Sequence, residues 1–191
     1  MTAQANTTVL FVEANLKNLV PELDLDFKCY TGASTNPLIP KEPTGYVLPA
    51  VNILRMTVLW LINNSLSQGL LITGETGTGK TELVMSLAAR FNLPLARVEC
   101  NASMTPDRLD GGTALVSTTS GIVTQFQLSD VAKIYRDGGI ILLDEVDKAS
   151  DEVCERLHAI IDGKPITITD TGEVIYKHPM AKVIGTSNTV G

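Results

Sequence analysis

The octapeptide Gly74-Glu75-Thr76-Gly77-Thr78-Gly79-Lys80-Thr81 constrains this chain more than any other feature. It satisfies G-x-x-x-x-G-K-[ST] in full. The preceding Leu70-Leu71-Ile72-Thr73 is a short apolar run, and Lys80 to Phe91 returns to helical periodicity, so the spacing predicts strand, glycine loop, helix. Glycines let the backbone curl until successive N–H groups and the N-terminus of the next helix point at one volume. Such donors suit phosphate oxygens, with Lys80 reaching the β- and γ-phosphates and the Thr81 hydroxyl ligating magnesium. A purely structural turn would need the glycines but leaves Lys80 and Thr81 unexplained. The expected ligands are ATP and Mg2+, held by the loop and by Glu82 in the first helical turn.

Around this motif, strands and helices alternate. Val51, Leu54, Val58, Leu59 and Ile62 recur at helical spacing between Pro49 and Asn63. Leu95 to Glu99 reads as a second strand, Leu128 to Arg136 as a helix stopped by Gly138-Gly139, and Ile140 to Leu143 as a strand buried on both faces. Ser150 opens a further helix that ends at Asp162-Gly163, and Lys182 to Thr186 is a final apolar strand. The pattern predicts a three-layer α/β domain with a parallel sheet. Two segments interrupt it and read as inserted β-hairpins: Ala114 to Val123, and Ile166 to Tyr176. Residues 1–43, with Pro21, Pro37, Pro40 and Pro43, read as a lead-in rather than core, and 44–191 as the domain proper.

Asp144 and Glu145 follow the apolar run Ile140 to Leu143, which delivers two carboxylates to the carboxyl edge of the sheet, where the glycine loop also opens. Asp144 is expected to hold magnesium directly or through water, and Glu145 to orient or deprotonate an attacking water. Read alone, acids after a strand are often a solvated helix start; their partnership with the loop makes the catalytic reading the better one. Asn188 emerges at the same edge, where an amide can hold that water, although an Asn after a strand is usually a turn residue. His158 and His178 lack a second ligand at metal spacing, and Trp60 and the methionines read as core packing.

Leu70 to Thr81, Ile140 to Lys148 (IILLDEVDK) and Gly185 to Asn188 (GTSN) resemble the Walker A, Walker B and sensor 1 motifs of AAA+ ATPases in order and rough spacing. The two hairpins and DEVDKAS resemble the MoxR-like group. ARVECN, Arg108 to Gly111 and HPMAKVIGTSNTVG are especially similar to the ATPase subunit of aerobic cobalt chelatase and its phage-encoded relatives. The resemblance covers about residues 44 to 191 and implies ATP hydrolysis with Glu145, Lys80 and Asn188 in catalytic roles. It also implies adenine contacts at Tyr46 and Val47, a hexameric ring of identical subunits, and hairpins that face the pore or a protein partner. The family pattern continues past sensor 1 with an arginine finger, a fifth strand and a helical lid, which this sequence does not contain. Arg108, Arg136 and Arg156 are the candidates for charge contacts across a ring interface, or are surface residues.

Fifteen basic against 21 acidic residues give a formal charge of -6, which offers no broad attraction for nucleic acid or anionic membrane. The three cysteines are scattered without a CxxC pair, which suits a reducing cytoplasm. Two other functional classes stay open. One is a nucleotide-gated scaffold that binds ATP and assembles without useful turnover. The other is a P-loop small-molecule kinase, disfavoured by the acidic pair and by the lack of an arginine-rich lid.

Overall fold

A computed structural model describes residues 10–26, 28–33, 35–63, 65, 68–118 and 121–188. The polar start Met1 to Thr8 lies outside the described residues. The chain opens with β1 (Phe11–Asn15), α1 (Leu16–Leu19) and β2 (Lys28–Gly32), then reaches α2 (Val51–Ile62). Next come β3 (Leu70–Thr73), α3 (Lys80–Arg90), β4 (Leu95–Glu99) and α4 (Asp107–Asp110). A hairpin of β5 (Gly111–Thr118) and β6 (Gly121–Leu128) leads to α5 (Asp130–Asp137) and β7 (Gly139–Asp144). The chain then runs through α6 (Asp151–Ile161), the short pair β8 (Ile166–Thr167) and β9 (Val174–Ile175), and β10 (Ala181–Ser187).

Four strands form a parallel sheet in the order β3-β10-β7-β4. Every residue of β7 is buried. Its alternate side chains go to opposite faces: Ile140 and Leu142 join Leu95 and Ile184 against α2 and α3, while Ile141 and Leu143 join Val98 and Val183 against α5 and α6. The helices match by period. Leu54, Val58 and Leu61 of α2 and Leu83, Val84, Leu87 and Ala88 of α3 are buried on one side, and Val153, Leu157 and Ile160 of α6 on the other. The result is the expected three-layer α/β architecture.

The structure departs from the sequence reading in four places. Residues 10–32 are more than a lead-in. Leu16, Val20, Leu23 and Cys29 are buried in the same apolar cluster as α2 and α3, and Arg90 of α3 ion-pairs with Glu22 at 2.9 Å and Glu42 at 2.7 Å. Elements this short have no readable periodicity, so their burial is set by tertiary contact. Secondly, α5 starts at Asp130, because Leu128 is still paired with Gly111 in the first hairpin. That hairpin has eight residues in each strand, longer than expected, while β8 and β9 have two each. Finally, Met56 is 74% exposed rather than core, and Trp60 is only partly buried.

Candidate functional site

Parallel strands put β3, β7 and β10 in one direction, so their carboxyl ends converge on one edge. The glycine loop leaves β3 there, Asp144 ends β7, and Ser187 ends β10. The loop closes at Gly79, whose φ of +80° is left-handed, and a Cβ there would sit 2.8 Å from Tyr46 Cε2. Glycine alone meets both demands. No side chain caps the N-terminus of α3, so its first-turn N–H groups and the positive end of its dipole stay available to an anion.

The polar side chains at this edge satisfy one another. Lys80 Nζ donates to Gly74 O at 2.8 Å, Glu75 O at 2.9 Å and Asn188 Oδ1 at 2.9 Å. Asn188 Nδ2 in turn donates to Glu145 Oε1 at 2.7 Å, and Lys148 Nζ to Glu145 Oε2 at 2.7 Å. The amide therefore bridges the loop lysine to the second acid. Glu145 itself adopts a left-handed φ of +54°, a conformation costly for a residue with a side chain and concentrated at functional sites. Its backbone N–H donates to Thr186 Oγ1 at 3.1 Å, and the same Thr186 hydroxyl donates to Asp144.

Asp144 is 6% exposed. The Thr81 hydroxyl lies 2.9 Å from its Oδ1 and 3.0 Å from its Oδ2. Arg97 Nε and Nη2 reach Oδ2 at 3.0 and 2.6 Å. Burial pushes the carboxyl pKa up, but the hydroxyls of Thr186 and Thr81 and the Arg97 guanidinium outweigh it and hold the group below its usual value. Asp144 is thus kept ionised. A hydroxyl and a carboxylate side by side are hard oxygen donors, which fits Mg2+ held by one or two protein ligands and completed by phosphate and water. Among the described residues no group of three or more His, Cys, Asp or Glu could hold a metal unaided.

A cleft of about 500 Å³ unites these groups. Of the residues singled out from sequence, it is lined by Tyr46, Thr76, Gly77, Gly79, Lys80, Thr81, Glu82, Asp144, Glu145 and Asn188. Gly74, Glu75 and Thr78 brace the loop from behind, Thr78 Oγ1 donating to Glu75 O at 2.8 Å. Val47 is 83% exposed and lies in an adjoining cleft with Leu48, Pro49, Leu54 and Arg90; Tyr46 lines both. Arg97, Glu99 and Thr186 also line the main cleft and escaped the sequence reading. The alternation along Leu95 to Glu99 places Arg97 and Glu99 on one side, the only available hint. Of the candidate interface arginines, Arg156 is bound to Asp110 and Thr167 O, and Arg136 to Asp137, while Arg108 is exposed.

Residues 69–191 match the family model described as AAA domain (dynein-related subfamily). The chain belongs to this AAA family. Among curated relatives of this AAA chain, an uncharacterized protein of Staphylococcus haemolyticus is 33% identical over 128 residues, covering 65% of the chain and 48% of that protein. The aerobic cobaltochelatase subunit CobS of Sinorhizobium sp is 29% identical over 122 residues, covering 63% and 37%. The AAA chain thus spans about half or less of these relatives' length. A solved structure from Cytophaga hutchinsonii superposes with a TM-score of 0.55 at 22% identity, over 72% of this chain and 39% of that one, which establishes likeness of fold. No helix among the described residues is long and apolar enough to cross a membrane.

Proposed function

We propose that the chain binds Mg-ATP and hydrolyses it, and that turnover drives remodelling of a protein or protein–metal partner by an assembly of identical subunits. One observation carries the reading: Asn188 bridges Lys80 to Glu145 while Thr81 bonds Asp144, so phosphate, metal and water-activating groups share one edge. Mg2+ supplies charge neutralisation at the phosphate oxygens. Lys80 exchanges its carbonyl partners for phosphate oxygens. Asn188 orients water against Glu145, whose carboxylate accepts the proton. The CobS likeness supports a protein–metal partner, and the long β5–β6 hairpin, with Leu115 and Ile122 exposed, supports contact with that partner or the pore.

The test is ATP binding and steady-state hydrolysis for the wild type beside Glu145→Gln and Lys80→Ala, with mass measured with and without Mg-ATP. Glu145→Gln should bind ATP with turnover reduced at least about a hundredfold, the lower scale of one general base. Lys80→Ala should lose binding. Assembly should require nucleotide. Retained turnover in Glu145→Gln sinks the assignment. A second reading, a nucleotide-gated scaffold with little turnover, is supported by the commitment of Arg136 and Arg156 to intramolecular ion pairs. Assembly with ATP but without hydrolysis would select it.

A further inference from the structure

Arg97 is the cationic residue of the cleft that ATP binding and hydrolysis leave without a role. It stands on β4, an edge strand, where the exposed positions Arg97 and Glu99 alternate with buried Ala96 and Val98. Its guanidinium spends two donors on a single atom, Asp144 Oδ2. Both oxygens of that carboxylate are already engaged: Oδ1 accepts from Thr186, Oδ2 from Arg97, and the one Thr81 hydroxyl proton is shared between them. The other acid at the centre, Glu145, is held by Lys148 and Asn188. A bare divalent cation reaching Asp144 finds a guanidinium in its place.

We propose that Arg97 is a positioning residue, an internal counter-cation that occupies Asp144 and makes divalent-metal binding conditional on the triphosphate. The inference rests on the Mg-ATP reading and deepens it. A metal arriving alone must detach Arg97 from Asp144, and the freed guanidinium then opposes it at that carboxylate. A metal arriving with a polyphosphate brings its own negative charge, which gives both cations partners. The side chain of Arg97 is 49% exposed and lines the same cleft, so the detached fork stays beside the incoming ligand. A lysine keeps the opposing charge but not the two-donor fork.

Mn2+ binding without nucleotide, read by loss of the free-ion electron paramagnetic resonance signal, tests this directly. The wild type should bind weakly, and Arg97→Gln about twofold to fivefold more tightly, the scale of removing one half-exposed opposing charge. Arg97→Lys should stay as weak as the wild type, and the gain should vanish in Arg97→Gln/Asp144→Asn. Loosened packing lowers metal affinity, so a gain separates this role from a structural one. Unchanged or weaker Mn2+ binding by folded Arg97→Gln overturns the inference. In the unsubstituted chain, the Arg97 Nε–H nuclear magnetic resonance signal should hold still as Mg2+ is added alone and move when ATP accompanies it. Movement with Mg2+ alone also overturns the inference. Failure of the wild type to bind a fluorescent ATP analogue, with the Arg97→Gln gain intact, sinks the ATP reading and leaves the block on Asp144 supported.

Discussion

Lys182 is the most deeply buried charged side chain among the described residues, at 2% exposure. Its Nζ donates to Asn63 O at the end of α2, at 2.6 Å, and lies 5.5 Å from the Trp60 ring centroid. Burial, and then the charge of Lys177, push its pKa down from 10.5 to about 8. The unfolded chain therefore holds a proton that the folded chain has released between those two values. Stability should rise as pH climbs through that window, because the cost of the buried ammonium below pH 8 is relieved. Urea midpoints measured from about pH 7.5 to 10 should increase for the wild type and stay flatter for Lys182→Met. From sequence Lys182 is merely the first residue of an apolar strand. Arg97 is equally hidden, since its partner Asp144 is 47 positions away. The glycine loop and the acidic pair are legible because contiguous residues determine them.

The elements follow the same division. β7 and β10 are readable because parallel strands covered on both faces need unbroken apolar runs, and α6 because Val153, Leu157 and Ile160 repeat on one face. Boundaries that depend on pairing are less readable. Leu128 looks like the first residue of α5 and is instead the last of β6, and the cap is Ser129. Ser129 accepts from Ala132 N–H at 3.0 Å and its hydroxyl donates to Leu109 O. One hydroxyl thus starts α5 and anchors α4, on either side of the long hairpin. Ser129→Ala should cost about 1 to 2 kcal/mol in urea unfolding, the range of a lost N-cap. A cost of a few tenths would show that the cap is dispensable.

At the scale of the molecule, the N-terminal segment completes the layer that also contains α2 and α3. Leu16 is fully buried among Val58, Leu87 and their neighbours, and Arg90 ties Glu22 and Glu42 to α3. Leu16→Ala should therefore lower unfolding free energy by about 2 to 5 kcal/mol, the cost of an ordinary core truncation. A loss under about 1 kcal/mol would show that residues 10–32 are peripheral after all. This contribution is illegible in sequence, because four- and five-residue elements among prolines carry no period.

The mutual satisfaction of Lys80, Asn188 and Glu145 also sets an entry threshold. All three protons of the Lys80 ammonium already have acceptors within the protein, so an incoming anion gains only by making stronger bonds than the neutral ones it displaces. Selection for strongly charged acceptors is thus inherent in how well the site is bonded to itself.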